Sequence, residues 1–76
     1  PGPLLRAYLR HRRARETEIV RRLDEAPSTL EALVAGIYPG LPAAVVPSAG
    51  DSLLAHLVKL EREGRARRDG EVWTRA

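Results

Sequence analysis

The fold of this chain is decided by the stretch SLLAHLVKLEREGRARRDGEVW, residues 52–73. Aliphatic side chains recur in its first half at the three- and four-residue spacing of one helix face, and Gly64 then ends the pattern. These side chains are Leu53, Leu54, Leu57, Val58 and Leu60. Two short segments follow, separated by Asp69-Gly70, the dipeptide preferred in a two-residue type I′ turn. The stretch therefore predicts a long amphipathic helix that leads directly into a two-stranded wing.

The pairing of the two wing strands follows from counting outward from that turn. Arg68 is expected opposite Glu71, and Ala66 opposite Trp73. Ala66 and Trp73 therefore share one face of the wing, and we expect that face to cover the hydrophobic core.

A second helix precedes this stretch. Its apolar residues recur at i, i+3, i+4, i+7 and i+8, which gives one continuous apolar face. They are Leu30, Leu33, Val34, Ile37 and Tyr38. Ser28 and Glu31 are spaced as a capping box at its start, and a Pro-Gly pair ends it. A connector with about one helical turn follows, from Leu41 to Pro47. Ser48 and Asp51 are the expected caps of the third helix.

The first helix is expected to end near Ala26, because Pro27 disfavours the helical conformation of the residue before it. Its apolar stripe is interrupted by Arg12 and Arg15. We therefore expect the C-terminal half to enter the core and residues 1–10 to extend past it towards another domain. The residues predicted to contact that domain are Leu4, Leu5, Tyr8, Leu9 and Arg12.

Length and composition exclude several classes of protein. With 76 residues the chain makes one domain, and it contains no cysteine, which excludes disulfides and thiolate metal sites. No apolar run is long enough to cross a bilayer, so we expect a cytoplasmic chain with no membrane partner. The net charge of +3 is too small to indicate a nucleic-acid partner by itself.

Together the elements predict a mainly helical winged helix-turn-helix, with three helices and a small β-hairpin as the wing. The sequence also resembles a known family, the winged-helix domain at the C-terminus of metallo-β-lactamase-fold hydrolases. The resemblance is carried by YLRHRRARETEIVRRL (8–23), by Ser28-Thr29-Leu30 with Ile37-Tyr38-Pro39, and by SLLAHLVKLEREGRARRDG (52–70).

This resemblance implies a role for the domain. In such hydrolases a metal-binding catalytic domain precedes the winged helix on the same chain. We therefore expect no cofactor in this chain and zinc in the parent hydrolase. The winged helix is then a non-catalytic accessory domain that docks on the metallo-β-lactamase domain and helps form its substrate cleft. The chain opens with Pro1-Gly2-Pro3 rather than with methionine, so we expect it to be a piece of such a longer protein.

No residue set in the sequence indicates catalysis or metal binding. The chain has two histidines, His11 and His56, which are too few for a typical site with three or more protein ligands. His56 is expected at the edge of the third helix's buried face, where it would donate a hydrogen bond to a backbone carbonyl of the wing or first helix. Ser28 and Ser48 are better explained as helix caps than as nucleophiles.

Basic residues at the end of the third helix and in the wing are candidates for phosphate contacts. They are Lys59, Arg62, Arg65, Arg67 and Arg68. They predict weak, sequence-independent contact with RNA or DNA, and a solvated charged surface is the simpler alternative. Asp51 on the outward face of the third helix argues against base reading. Two further alternatives stay open: a winged-helix DNA-binding regulator, and a homodimerisation module in which residues 4–9 pair between copies.

Overall fold

The computed structural model describes residues 2–76, which form three helices and three short strands. In chain order they are α1 (Pro3–Glu25), β1 (Ser28–Thr29), α2 (Leu30–Ile37), α3 (Val46–Arg62), β2 (Ala66–Asp69) and β3 (Val72–Arg75). The strands form one antiparallel sheet in the order β1-β3-β2. This arrangement confirms the mainly helical winged-helix fold, and it adds one strand, β1, that the sequence did not predict.

Helix α1 is divided into an exposed N-terminal part and a partly buried C-terminal part. Pro3 lies in its first turn, where the missing N–H of proline costs no hydrogen bond. The buried residues are Glu16, Ile19, Val20 and Leu23. The helix ends at Glu25, and the Ala26 N–H still donates to the Arg22 oxygen at 3.1 Å. The expected end of the helix and its buried second half are both confirmed.

The N-terminus of α2 is capped by Thr29 rather than by Ser28. The Thr29 hydroxyl oxygen accepts a hydrogen bond from the Ala32 N–H at 3.1 Å. Ser28 lies in β1, where it pairs with Trp73 of β3. The expected capping box of Ser28 and Glu31 is therefore wrong, because both residues of β1 are extended, so that α2 begins at Leu30 and the residue directly before it is Thr29.

Helix α3 begins before the two residues that were expected to cap it. The Val45 N–H donates to the Pro42 oxygen at 2.9 Å, so a turn leads directly into the helix. Val45 is the N-cap without a side-chain hydrogen bond, and Ser48 and Asp51 lie inside α3. The predicted caps were wrong because Pro47, which we expected in the connector, fits into the first helical turn.

The C-terminus of α3 turns the chain into the wing. Gly64 has a φ of 74°, in the left-handed region that favours glycine. The Arg65 N–H donates to the Leu60 oxygen at 2.9 Å, and the Gly64 N–H donates to the Glu61 oxygen at 3.0 Å. These two bonds form a Schellman motif, which satisfies the last carbonyl groups of the helix. The helix end predicted from Gly64 is confirmed.

The wing turn differs from the expected one. Asp69 pairs with Val72, so the two-residue loop is Gly70-Glu71 and not Asp69-Gly70. Gly70 has a φ of 63°. Within residues 2–76 only glycines have a positive φ, so the φ of Glu71, the second loop residue, is negative. A glycine first in the loop, followed by a residue with negative φ, is the pattern of a type II′ turn. The predicted type I′ turn is therefore wrong.

The strand register changes with the turn, but the buried face does not. Trp73 pairs with Arg68, and Ala66 pairs with Arg75, so the expected pairs Ala66–Trp73 and Arg68–Glu71 are wrong by two residues. Because side chains alternate along a strand with a period of two, a shift of two residues leaves each side chain on its face. Both Ala66 and Trp73 are buried, which confirms that their shared face covers the core.

The core lies where the three helices meet the inner face of the sheet. Its most deeply buried large side chains are Trp73, Ile19, Leu33, Leu53, Leu57 and Leu60. Each fully buried aliphatic side chain of this size stabilises the fold by roughly 1.5–3 kcal/mol. All of these residues lie after residue 18, so the first part of α1 is left outside the core.

Candidate functional site

The first turns of α1 carry an exposed apolar patch. With 23 residues, α1 is about 35 Å long, and its N-terminal turns extend beyond the core. We name the exposed residues the α1 patch: Leu4, Leu5, Tyr8 and Leu9, with exposed fractions of 87%, 45%, 56% and 39%. Three leucines and a tyrosine at positions i, i+1, i+4 and i+5 form one exposed apolar surface on this helix.

The two arginines that interrupt the apolar stripe each lie over a tyrosine ring. The Arg12 guanidinium is 5.8 Å from the centre of the Tyr8 ring, and the Arg15 guanidinium is 4.5 Å from that of Tyr38 in the loop after α2. Arg15 also donates to Glu18 at 2.8 Å. The arginines therefore continue the packing of α1 through cation–π contacts where the aliphatic residues stop.

A buried acidic residue joins α1 to α3. Glu16 is 6% exposed, and its two carboxylate oxygens have different partners. Oε2 lies 2.8 Å from His56 Nδ1, and Oε1 accepts a hydrogen bond from Lys59 Nζ at 2.8 Å. We call these three residues the Glu16 cluster. The expectation that His56 donates to a backbone carbonyl is wrong, because the Glu16 side chain of α1 occupies that position.

The ionisation of the Glu16 cluster follows from these contacts. Burial by itself would raise the pKa of Glu16, but the hydrogen bonds from Lys59 and His56 outweigh it and lower that pKa from its ordinary value of 4.5. The hydrogen bond to Glu16 raises the pKa of Lys59 above 10.5, assisted by Glu63, whose carboxylate is 3.1 Å away. At neutral pH the cluster therefore contains an ionised carboxylate beside a charged lysine.

Sequence reasoning missed Glu16, although a signal was present. Glu16 stands three and four residues before Ile19 and Val20, on the same helix face as the core. An acid in that position requires buried donors. His56 and Lys59 are three residues apart at the edge of the apolar face of α3, so both face the same neighbouring helix.

A cleft with several basic groups lies beside the Glu16 cluster, where α1 crosses α3 and the end of α2. We call it the basic cleft, and its volume is about 290 Å³. Its lining includes Tyr8, His11, Arg12, Arg15, Tyr38 and His56. The lining residues of α1 recur every three or four positions, so one face of that helix supplies them. Glu18 is the acidic residue in the lining.

A larger cleft of about 490 Å³ lies between α2 and the start of α3, and its lining is mainly apolar. The residues include Leu30, Val34, Tyr38, Val46 and Pro47, with the carboxylates of Glu31 and Asp51. Tyr38 contributes to both clefts and separates them.

The predicted phosphate-contact residues of α3 and the wing differ in whether an acidic side chain already pairs with them. Arg62 and Arg67 are exposed, and within residues 2–76 neither has a carboxylate at ion-pair distance. The Lys59 ammonium is held by Glu16 and Glu63, and Arg65 is 3.9 Å from Glu63. Lys59 is therefore the least available of the predicted contacts.

The remaining candidate, Arg68, packs over the wing. Its guanidinium lies 5.4 Å from the centre of the Trp73 ring, and its Nε donates to the Gly70 oxygen at 3.0 Å.

The outward face of α3 carries exposed Asp51, Ser52 and Ala55 at its N-terminal end. In the part of the chain that the structure describes, no three metal-ligating side chains lie together, and no helix there is long and apolar enough to span a membrane.

The three helices, the Schellman turn and the β1-β3-β2 sheet define a winged-helix domain. The family model of the beta-lactamase associated winged helix domain matches residues 29–73, and the chain belongs to this family. The resemblance seen in the sequence is thereby confirmed. A comparison with curated proteins finds no significant match.

Proposed function

We propose that this domain is a non-catalytic accessory domain that docks through the α1 patch on a β-lactamase-fold domain and helps form the substrate cleft of that hydrolase. The exposed α1 patch is the observation that carries the proposal. The family's association with β-lactamases supports the identity of the partner. In this proposal the zinc and the hydrolytic residues belong to the partner domain, and the winged helix supplies a surface.

The chemistry of the α1 patch suits such an interface. Burying a leucine side chain stabilises an interface by roughly 1.5–3 kcal/mol before the costs of association are subtracted. Tyr8 and Arg12 are residue types enriched at the energetic centres of interfaces, and here they already stack on each other. The exposed arginines Arg6 and Arg10 lie on the same helical segment and supply a polar rim.

Docking can be tested by binding in trans between this domain and the β-lactamase-fold domain. The variant Leu5→Ser/Leu9→Ser is expected to weaken binding by at least tenfold, because two apolar anchors become polar. Val45→Ser is the matched control, since Val45 is 44% exposed but lies before α3 and away from the α1 patch. Calorimetry measures both affinities.

A second measurement locates the contact. Amide hydrogen exchange over residues 4–10 is expected to slow when the β-lactamase-fold domain is present, because the segment becomes covered. Equal exchange with and without that domain, or equal weakening by the Leu5/Leu9 and Val45 variants, would contradict docking through the α1 patch.

We keep one second candidate function, contact of the wing with nucleic-acid backbone. It is favoured by the exposure of Arg62 and Arg67 without acidic partners within residues 2–76. The variant Arg67→Gln/Arg68→Gln should then reduce the slope of log affinity against log salt by about 0.9 per lost phosphate contact. The reduction should be the same for every duplex sequence. Loss of one preferred sequence alone would instead favour the DNA-binding regulator.

The homodimerisation alternative predicts that the α1 patch pairs between copies. Sedimentation of the domain over a range of concentrations distinguishes homodimerisation from docking on the β-lactamase-fold domain. A monomer that becomes a complex only with the β-lactamase-fold domain supports docking, whereas a dimer abolished by Leu5→Ser/Leu9→Ser supports self-association.

A further inference from the structure

The basic cleft contains more positive charge than its own acids neutralise. Arg12 has no carboxylate at ion-pair distance in the described part of the chain, and Arg15 shares Glu18 with Arg22. Arg12 is exposed, and Arg15 is half-buried beside it. The lining therefore keeps a positive charge at neutral pH even if both of its histidines are neutral.

His56 contributes an imidazole ring of fixed orientation to the cleft wall. Its side chain is buried, and its Nδ1 is held 2.8 Å from Glu16 Oε2. An ionised carboxylate can only accept, so Nδ1 carries a proton and donates it to Glu16, and in the neutral ring Nε2 is an acceptor. A carboxylate behind a histidine fixes the orientation of the ring, as the second partner of a metal-bound or catalytic histidine does. The His56 ring is thus positioned before any ligand arrives.

The guanidinium groups of Arg12 and Arg15 suit an anion with several oxygen atoms. Guanidinium groups match the oxygens of carboxylate and phosphate with paired hydrogen bonds. Two guanidinium groups offer more donors than the two oxygens of a carboxylate require, whereas a terminal phosphate presents three oxygens. The volume of about 290 Å³ is at the lower limit of pockets that enclose whole drug-sized ligands, so the cleft fits one charged group of a ligand rather than a whole large ligand.

We propose that the basic cleft binds the terminal phosphate group of a small phosphorylated ligand, with Arg12 and Arg15 as its donors and the fixed ring of His56 in its wall. Free phosphate and the 5′-phosphate of a nucleotide share this chemistry. The proposal does not rest on the docking of the α1 patch, because both donors belong to this chain and the leucines of the patch take no part; Tyr8 and Arg12 are shared by the two surfaces.

The test is an NMR titration of the protein at constant ionic strength with inorganic phosphate, AMP, adenosine and acetate. Saturable shifts of the amide signals around Arg12, Arg15 and His56 are expected with phosphate and AMP. Tighter binding of AMP than of phosphate would identify a nucleotide as the source of the phosphate group, and similar binding would identify free phosphate. Adenosine, which lacks the phosphate group, is expected to cause no such shifts.

Two arginine variants separate a site from general charge. Arg12→Gln is expected to weaken phosphate binding about tenfold, because a charge-assisted donor is lost. Arg13→Gln removes the same charge from an exposed neighbour that does not line the cleft, and should weaken binding less than about twofold, since its effect is screened. Arg12 is exposed, so a melting curve is expected to show that both variants fold.

Several results would overturn the proposal. Equal weakening by Arg12→Gln and Arg13→Gln would show that only general charge attracts the anion. Shifts confined to the wing would show that the anion does not bind in the basic cleft. Binding of acetate as tight as that of phosphate would show that the cleft does not select a phosphate group. Binding of adenosine as tight as that of AMP would also overturn it.

Discussion

The substitution Glu16→Gln tests how much the Glu16 cluster contributes to stability. Glutamine has nearly the volume of glutamate, so packing is preserved while the negative charge is removed. Its side-chain oxygen can accept from only one of the two donors, and its NH₂ group then faces the other. His56 or Lys59 therefore loses its acceptor, and Lys59 keeps only the Glu63 carboxylate at 3.1 Å.

The size of the effect follows from the exposure of the partners. Removing one partner from a fully buried ion pair costs about 3–5 kcal/mol. Here the Lys59 side chain is 44% exposed and can return to water, so the loss is set by hydrogen bonds to a charged group, about 1–3 kcal/mol. For a domain of this size the melting temperature should fall by roughly 5–20 °C.

The effect should depend on pH in a defined direction. Because the folded-state pKa of Glu16 is below 4.5, its contribution is complete above pH 4.5 and is lost as the pH falls through the folded-state pKa. Urea unfolding at neutral pH and at pH 3 should therefore give a smaller difference between wild type and Glu16→Gln in acid. The raised pKa of Lys59 matters at high pH, because the contribution of Lys59 to stability is lost only as the pH rises through a value above 10.5.

The matched control is Glu25→Gln on the same helix. Glu25 pairs with Arg21 at 2.8 Å, but both side chains are more than half exposed. Such a pair is worth about 0.3–0.5 kcal/mol, so the control should hardly change the unfolding midpoint. If Glu16→Gln were no more destabilising than Glu25→Gln, or if its effect were unchanged at pH 3, the reasoning about the buried carboxylate would be refuted.

Other substitutions test the core and the backbone by urea unfolding. Trp73→Ala should cost about 3–5 kcal/mol, and an unchanged midpoint would show that the wing does not cover the core. Gly36→Ala places a Cβ 2.6 Å from Arg22 Nη1 and displaces the hydrogen bond to the Gly36 oxygen, which offsets the helix-propensity gain of about 0.5–1 kcal/mol; in an Arg22→Ala background that gain should be seen in full. Gly70→Ala should destabilise by about 1 kcal/mol or more because of its positive φ, whereas Gly50→Ala, in open space within α3, should stabilise by about 0.5–1 kcal/mol.

The fold could be predicted wherever local periodicity and helix-ending residues agree. The apolar spacing identified the three helices, and Pro27 and Gly64 placed the C-terminal ends of α1 and α3 correctly. The turn was wrong because Gly70 can stand first or second in a two-residue loop, and the letters on either side permit both. The prediction of the buried face survived this error because the two registers differ by an even number of residues.

The features that sequence reasoning missed depend on distant parts of the chain. β1 is two residues long and exists because β3 pairs with it, so no local pattern marks it. That pairing also moved the cap of α2 from Ser28 to Thr29. The contact between Glu16 and His56 spans 40 residues, and sequence reasoning gave the histidine a backbone partner because it did not place an acid on the facing helix.

The Glu16 cluster also links the stability of the domain to the position of its candidate surfaces. His56 and Lys59 are about one helical turn apart on α3, and the two oxygens of Glu16 must reach both. An apolar residue at position 16 would pack acceptably at several rotations of α1 about its axis, whereas the two hydrogen bonds of Glu16 are both satisfied at only one rotation. Since α1 is a continuous helix, the rotation fixed at Glu16 also fixes the direction of the α1 patch and the face that lines the basic cleft. Glu16→Leu/His56→Leu removes the buried donor together with its acceptor, and Lys59 can return to water. This double variant should therefore retain more stability than Glu16→Gln and yet weaken docking, a separation that a purely stabilising role would not produce.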